Sequence, residues 1–262
     1  MLVSQHNDIM VDDALALHSF GSKLNVAIVG ATGGLGRAFV EALIPFPTVL
    51  NIFCLSRSNI QIDNNKTDWY HLDLEDEDSI ITAAASIQQS VGDLHLVIVA
   101  TGMLHDGDRL QPEKSWRDID GSALESVFRL NTIGPALVAK HFLPLLVHKQ
   151  KSVFAALSAR IGSIEDNHLG GWHSYRASKA ALNMLLKNFA IELARRNPQA
   201  ICIGIHPGTV DTGLSKPFQA NIQKNKLFSP KLSAHRLLNV IDGVSAGDSG
   251  AILAWDGKTI PY

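Results

Sequence analysis

The sequence predicts an α/β protein in which a doubly wound parallel sheet of about seven strands carries helices on both faces. Short apolar or β-branched runs alternate with segments of helical spacing along most of the chain, which is the pattern of such a sheet. The run 94–100 is apolar without polar alternation after His95, as expected for a strand covered on both faces. With 262 residues and 46% hydrophobic content, the chain can bury one large core in a single domain.

Residues 1–22 are expected to form an extension that is either mobile or folded as a short surface helix. The stretch 11–20 is only weakly amphipathic, and termini outside a sheet are usually mobile. The extension has neither a basic start nor a long apolar segment, so an export signal is not indicated. No other apolar run approaches the ~18 residues that span a bilayer. We therefore expect residues 23–262 to form one soluble, cytoplasmic domain.

Composition and charge favour a small ligand. The 23 basic and 25 acidic residues are well mixed and give a formal net charge of -2, so the chain has no basic footprint for nucleic acid or an anionic membrane. Cys54 and Cys202 lie in separate apolar runs, where we expect them to be buried small hydrophobes. The 11 histidines form no cluster with metal-ligand spacing, so a metal site is not predicted.

The first predicted strand, 24–29, leads into a glycine-rich turn, and helical spacing follows over 37–43. Glycines let the backbone turn tightly and approach a ligand, while the start of a helix offers free N–H groups and a partial positive charge to a phosphate. We interpret the turn as the phosphate site of a dinucleotide; an ordinary tight turn is the alternative. The glycine spacing differs from the common Gly-x-Gly-x-x-Gly order. The cofactor residues predicted in this turn are Gly30, Thr32, Gly33, Gly34, Leu35 and Gly36.

Arg57 predicts which dinucleotide binds. It follows the second strand, 49–55, whose carboxyl end meets the adenosine ribose in a doubly wound sheet. An acidic residue there would accept hydrogen bonds from the two ribose hydroxyls of NAD, whereas an arginine can pair with the 2′-phosphate of NADP. We therefore predict that NADP(H) is preferred and that NAD(H) is possible. A solvated arginine at a strand end is the alternative.

The third and fourth strands end in further candidate cofactor contacts. Asp73 follows the predicted strand 69–72 and precedes a helix predicted over 75–91. It either accepts a hydrogen bond from the adenine amino group or caps that helix. A glycine after the fourth strand lets the backbone approach the cofactor, or serves the turn alone. The cofactor residues predicted here are Asp73, Leu74, Ala100, Thr101 and Gly102.

A long helix is predicted over 122–147, with Asn131 in its middle. Asn is an indifferent helix former, so its position indicates a specific reason, such as a bound water or a lysine partner. Pro135 and Pro144 predict a kink or an early end of this helix.

The remaining predicted elements are strands at 152–157, 200–205 and 250–255, a helix that runs to about residue 196, and a helix over 229–245. The turn after 200–205 has N–H and hydroxyl groups that can hold a nicotinamide amide and a phosphate. The cofactor residues predicted in this turn are Pro207, Gly208, Val210 and Thr212.

Tyr175 and Lys179 are the candidate catalytic pair. They stand four residues apart on a predicted helix, so their side chains lie on the same face and can approach one site. The pKa of a free tyrosine is about 10, and a neighbouring cation favours the phenolate, as proton transfer near neutral pH requires. A chance pairing of Tyr and Lys on a helix is the alternative.

Together these features resemble the short-chain dehydrogenase/reductase family over nearly all of 24–262. The glycine order matches that family's cofactor loop, and Arg57 resembles its NADP-type residue. The segments 162–164, 170–172 and 175–183 resemble the C-factor-like branch of the family, which is related to carbonyl reductases. The positions that match the family's catalytic residues and nicotinamide loop are Asn131, Tyr175, Lys179, Pro207, Gly208 and Thr212.

The resemblance implies a Rossmann-type fold and hydride transfer between NADP(H) and the carbonyl or alcohol group of a small organic substrate. It implies that Tyr175 protonates the carbonyl oxygen and that Lys179 binds the nicotinamide ribose and lowers the pKa of Tyr175. Asn131 would hold a water in a proton relay. A homodimer or homotetramer that pairs the long helices is also implied.

Two departures from the family pattern affect these expectations. The family usually has Asn-Asn-Ala-Gly after the fourth strand, where this chain has Val-Ala-Thr-Gly at 99–102. The family's serine position is occupied by Ala159, so Ser158 or Ser163 must orient the substrate oxygen. Ser163 is slightly preferred, because it stands 12 residues before Tyr175. The alternative function is a dinucleotide-binding signalling or sensor protein with little turnover.

Overall fold

The computed structural model describes residues 17–59, 61–220 and 222–262. Most of the predicted N-terminal extension therefore lies outside the described residues. Its last part, 17–22, packs against the domain. Leu17 and Phe20 are buried in the hydrophobic core, and Ser19 Oγ donates a hydrogen bond to Asp242 Oδ1 at 2.6 Å.

Seven parallel strands form the central sheet. In chain order, the strands of the described chain are β1 (Leu24–Val29), β2 (Val49–Ser56), β3 (Thr67–His71), β4 (Leu96–Val99), β5 (Ser152–Leu157), β6 (Ala200–His206), β7 (Thr209–Val210), β8 (Leu227–Phe228) and β9 (Ile252–Ala254). The sheet order is β3-β2-β1-β4-β5-β6-β9, and β7 and β8 form a separate two-stranded ladder. The direction of winding reverses between β1 and β4, and ligands bind outside the carboxyl ends of the strands at such a point.

Helices cover both faces of this sheet. The α-helices of the described chain are α1 (Gly34–Leu43), α2 (Glu77–Val91), α3 (Gly121–Phe128), α4 (Gly134–Phe142), α5 (His173–Arg196) and α6 (Pro230–Gly243). One core cluster lies on the side of α1 and α6 and includes Phe39 and Leu237. A second lies on the side of α2, α4 and α5 and includes Ile80, Val138 and Leu186. The predicted doubly wound parallel sheet of about seven strands is confirmed.

The long helix predicted over 122–147 is interrupted and ends early. Between α3 and α4 the backbone is π-helical over Arg129–Ile133, and α4 ends at Phe142. A short 3-10 turn, Leu143–Leu145, follows and contains Pro144. A proline cannot continue the hydrogen-bond ladder of an α-helix, which explains the early end.

The two cysteines lie on buried strands, Cys54 on β2 and Cys202 on β6. Burial raises the pKa of the Cys54 thiol to about 12 and that of Cys202 further.

Within the described ranges, no helix has the length and apolarity needed to cross a membrane. The same residues contain no group of three or more His, Cys, Asp or Glu side chains that could hold a metal ion.

Candidate active site

A cavity of about 510 Å³ opens at the carboxyl ends of β1, β4, β5 and β6. Cavities of a few hundred Å³ are the usual size of small-molecule sites. Among the residues predicted from the sequence, those that line it are Gly33, Gly34, Leu35, Ala100, Thr101, Gly102, Ser158, Tyr175, Lys179, Pro207, Gly208, Val210 and Thr212. The predicted residues that do not line it are Gly30, Thr32, Gly36, Arg57, Asp73, Leu74, Asn131 and Ser163.

The glycine-rich turn at the start of α1 is built for close backbone contact. Gly30 has a positive φ of 84°, and its N–H donates to Leu55 O at 2.8 Å, which fixes the turn against β2. A Cβ at Gly36 would lie only 2.0 Å from Gly30 O, so α1 can start here only with glycine. Gly33 caps α1 without any side-chain hydrogen bond. The first N–H groups of α1 therefore face the cavity mouth without a side-chain partner, and such groups bind phosphate.

Arg57 lies one residue beyond β2, beside this turn. Its backbone oxygen contacts His71 Nδ1 at 3.2 Å, which ties the ends of β2 and β3 together. The Arg57 side chain is exposed, and it forms no ion pair with any other residue that the structure describes. An exposed guanidinium at this strand end suits a phosphate on the adenosine ribose.

Asp73 caps the turn that precedes α2. Its Oδ1 accepts a hydrogen bond from the backbone N–H of Glu75 at 3.1 Å, and its own N–H donates to Ser79 Oγ at 2.9 Å. Leu74 is buried and packs against Gly134. The residue that caps α2 is Asp76, whose Oδ1 accepts from the Asp78 N–H at 3.1 Å. Of the two roles expected for Asp73, the helix cap therefore belongs to Asp76, and Asp73 bonds the turn before the helix.

Tyr175 and Lys179 lie on the first two turns of α5 and are both buried. Lys179 Nζ donates to Leu157 O at 2.7 Å and lies 5.9 Å from the centre of the Tyr175 ring. Burial raises the pKa of Tyr175 to about 12 and lowers the pKa of Lys179 to about 8. For Tyr175 this direction is opposite to the one expected from Lys179, because desolvation of the phenolate is the larger effect here.

Asn131 lies in the π-helical segment and is fully buried. Its side-chain amide pairs with the backbone of Met103: Oδ1 accepts from the N–H at 2.7 Å, and Nδ2 donates to the carbonyl oxygen at 2.8 Å. Nδ2 also donates to Ser178 Oγ at 3.1 Å. Pro135, four residues later, has no N–H to donate to the Asn131 carbonyl oxygen. Asn131 therefore fastens the loop after β4 to α5.

The two candidate serines lie in different places. Ser158 lines the cavity, and its Oγ donates to Asn183 Oδ1 at 2.5 Å. Ser163 is held away from the cavity, where its Oγ accepts from the N–H of Asp166 at 3.0 Å. Ala159 lines the cavity beside Ser158. The structure thus brings Ser158, and not Ser163, to the same wall as Tyr175.

Glu113 lies outside the cavity lining but binds two residues beside Tyr175, and it was not predicted from the sequence. It is 6% exposed, and its carboxylate accepts hydrogen bonds from the N–H and the hydroxyl of Ser174, at the start of α5. Its carbonyl oxygen accepts from the N–H of Trp172 at 2.5 Å. A carboxylate at a helix N-terminus satisfies free N–H groups and the helix dipole. Because one acidic residue in a charged loop has no distinctive pattern, no sequence signal pointed to Glu113.

Trp172 and Phe218 form an aromatic wall along the cavity, which also was not predicted. Their ring centres are 5.0 Å apart, and the Trp172 ring lies 6.5 Å from that of Tyr175. Trp172 has a φ of 51°, in the left-handed region that bulky residues rarely adopt. The Gly-Gly-Trp sequence at 170–172 is the one signal that indicated an unusual backbone at this point.

Comparisons with known proteins agree with this geometry. A family model described as short chain dehydrogenase matches residues 24–223. An uncharacterized oxidoreductase of Schizosaccharomyces pombe is 28% identical, with 90% of this chain and 96% of the relative covered. The C-signal protein of Myxococcus xanthus is 32% identical over 55% of this chain and 82% of its own length.

A solved structure has the same fold. The NADPH-bound carbonyl reductase from chicken fatty liver superposes with a TM-score of 0.78 at 26% identity, covering 92% of this chain and all of the other. The resemblance to the short-chain dehydrogenase/reductase family, in its C-factor-like and carbonyl-reductase-like branch, is confirmed. This chain therefore belongs to the short chain dehydrogenase family of oxidoreductases.

Proposed function

We propose that this protein is an NADP(H)-dependent oxidoreductase that transfers a hydride between the nicotinamide and the carbonyl or alcohol group of a small organic substrate. One observation carries this proposal. Tyr175, Lys179 and Ser158 line one cavity together with the glycine turn at the start of α1. A proton donor, a cation and a hydroxyl thus face the same space as a phosphate site, which is what carbonyl reduction with a dinucleotide requires.

Tyr175 carries its proton at neutral pH, because burial raises its pKa to about 12. Efficient donation to a carbonyl oxygen requires a lower pKa, which the charge of Lys179 would favour. Lys179, with a pKa of about 8, is still mainly cationic at pH 7. When bound, the nicotinamide supplies the hydride, and Tyr175 supplies the proton that completes the alcohol. Ser158 Oγ, which here donates to Asn183 Oδ1, can donate to the substrate oxygen instead.

The preference for NADP(H) is supported by Arg57 and by one relative. Arg57 is exposed at the end of β2, without an ion-pair partner among the described residues. The carbonyl reductase from chicken fatty liver, 26% identical over 92% of this chain, was solved with NADPH. A 2′-phosphate beside Arg57 would form a charge-assisted contact that NAD lacks.

A second candidate function is a dinucleotide-binding signalling protein with little turnover. It is favoured by the 32% identity with the C-signal protein of Myxococcus xanthus. The two functions share the glycine turn and differ in their use of Tyr175. A buried phenol that lines the cavity beside a lysine favours the enzyme.

The test is the oxidation of NADPH, followed by absorbance, with a panel of aldehydes and ketones. We expect turnover of at least one class of carbonyl compound with NADPH and slower turnover with NADH. Tight binding of NADPH without reduction of any compound in a broad panel would support the signalling function. Failure to bind either dinucleotide would contradict both functions.

A further inference from the structure

The part of the cavity that is left to the substrate is mainly apolar. The apolar lining residues that we did not assign to the cofactor are Leu104, Leu157, Ala159, Trp172, Leu214, Phe218 and Ile222, and the unassigned polar ones are Ser158, His206, Thr209 and Ser215. Of all the described lining residues, Lys179 alone has a side chain with a full charge near pH 7, and its Nζ is engaged by Leu157 O at 2.7 Å. A carboxylate or phosphate on the substrate would therefore be desolvated without a dedicated partner, which is costly. This favours an uncharged substrate.

The aromatic wall lies next to the proton donor. The Trp172 ring packs between Phe218, at 5.0 Å, and Tyr175, at 6.5 Å between ring centres. His105 and Phe218 form a T-shaped pair, with ring centres 5.7 Å apart. Aromatic rings at such distances attract each other beyond the burial of their area. A flat ring attached to a carbonyl that reaches Tyr175 would meet this wall.

Trp172 has a backbone conformation that bulky residues disfavour, so other contacts must hold it in place. Its φ of 51° is rare for a bulky residue, and such a conformation persists only where surrounding contacts enforce it. Here Glu113 O accepts from the Trp172 N–H at 2.5 Å, and Arg176 Nε donates to Gly171 O at 2.9 Å. Backbone strain that aims one aromatic side chain into a cavity indicates a role at the site.

Phe218 is also held from both ends of its segment. It lies in the stretch 211–226, and the β7–β8 ladder pairs Thr209 with Leu227 and Val210 with Phe228 at the base of that stretch. Phe228 in turn packs edge-on against Trp255, with ring centres 4.9 Å apart. The wall thus joins two segments of the chain, one that contains Trp172 and one that contains Phe218.

We infer that the substrate is an uncharged carbonyl compound with an aryl group next to the carbonyl, and that this ring packs against Trp172 and Phe218. The inference rests on the proposed function, because it needs Tyr175 as the proton donor to place the carbonyl. It concerns the partner of the aromatic wall, which membership of the family does not by itself determine.

The experiment compares methyl phenyl ketone with methyl cyclohexyl ketone as substrates with NADPH. The two rings have nearly the same size, but only one is aromatic. The ratio of kcat/KM for the two ketones is measured in the native protein and in the Phe218→Leu and Trp172→Leu variants, which keep an apolar side chain and lose the ring. Trp116→Leu is the control, because Trp116 is 65% exposed and lies outside the cavity lining. NADPH affinity is measured for each variant as a check on folding.

We expect the phenyl-to-cyclohexyl ratio to fall by about three- to tenfold in both wall variants and to stay at the native value in Trp116→Leu. If Trp172→Leu does not fold, Phe218→Leu decides the result. An unchanged ratio in Phe218→Leu would overturn the inference while leaving the proposed function intact, and so would a native protein that reduces only keto acids. Native protein that reduces no carbonyl compound would overturn the proposed function and this inference with it.

Discussion

The two ends of the cavity are built in different ways. At the end that we propose for the cofactor, the glycine turn follows directly after a strand and is held by backbone hydrogen bonds such as Gly30 N–H to Leu55 O. Arg57, outside the cavity lining, also follows directly after a strand. At the substrate end, the wall depends on segments far apart in the chain, as in the hydrogen bonds between Glu113 and Ser174, 61 residues apart. The residues at the cofactor end are thus positioned by the ends of strands, whereas those at the substrate end are positioned by contacts between loops. Changes at the first should affect every reaction, and changes at the second should affect some substrates more than others.

The largest effect is expected from Gly36→Ala. The new Cβ would lie 2.0 Å from Gly30 O, so the turn must move away from the start of α1. We expect NADPH affinity to fall by on the order of 100-fold or more, because the turn is the phosphate site that we propose. Gly243→Ala is the control, since a Cβ there meets nothing within 4 Å. Fluorescence titration with NADPH measures both, and native affinity in Gly36→Ala would show that the cofactor binds elsewhere.

The next effect concerns the choice of dinucleotide. Arg57→Asp should reverse or abolish the preference for NADPH over NADH, a change of roughly 1 to 3 kcal/mol for one charge-assisted contact. The ratio of the two dissociation constants is the measurement. Arg196→Asp makes the same change of charge at the far end of α5 and should leave the ratio as it is. Equal affinities for NADPH and NADH in the native protein would contradict the role of Arg57.

The third effect concerns the serine that orients the substrate oxygen, between the cofactor end and the substrate end of the cavity. Ser158→Ala should lower turnover by about tenfold or more, because it removes the hydroxyl beside Tyr175. Ser163→Ala should change turnover little, since its hydroxyl is bound to the Asp166 N–H outside the cavity. If neither variant loses activity on this scale, no serine orients the substrate oxygen. If only Ser163→Ala loses activity, then the 12-residue spacing from Tyr175 identifies the serine correctly and the cavity lining does not.

The smallest effect is expected from Glu113→Gln. The variant keeps the shape of the side chain but loses the negative charge at the N-terminus of α5, which should lower the free energy of unfolding by about 1 kcal/mol. Thermal unfolding measures the loss, and Glu125→Gln on the exposed face of α3 is the control. We also expect a few-fold lower turnover, about the effect of a small displacement of Tyr175. A variant with native stability would show that Ser174 needs no charged partner.

Much of the fold could be predicted from the sequence because its central strands, such as β4 and β5, are buried on both faces. The strands 24–29 and 152–157 have the predicted bounds, and the fourth strand was recognised from its unbroken apolar run. The early end of the long helix was expected from Pro135 and Pro144 and is confirmed. The π-helical segment Arg129–Ile133 was not predicted, because Asn131 within it bonds to Met103, 28 residues away. A local pattern does not contain such a contact.

The candidate site also contains residues that a local sequence pattern indicates and residues that depend on distant contacts. The glycine spacing and Arg57 stand out in the sequence because both follow strands, and Tyr175 and Lys179 because they share one helical face. Their roles toward a cofactor and a substrate stay predictions. Glu113 and Phe218 were missed because their partners, Ser174 and Trp172, come from other segments. The Tyr175 pKa was expected to be lowered, yet burial raises it. The degree of burial is a tertiary property that residue spacing does not give.

The most direct test of the account is a pair of measurements on native and Tyr175→Phe protein: NADPH affinity by fluorescence titration, and the rate of carbonyl reduction. The substitution keeps the ring and its packing against Trp172 but removes the proton that Tyr175 would donate. We predict that NADPH affinity is retained while turnover falls on the order of 100-fold or more. Lys179→Ala should instead lower both quantities, since it removes a charge that faces cofactor and phenol together. Reduction at the native rate by Tyr175→Phe would contradict the assignment of Tyr175 as the proton donor.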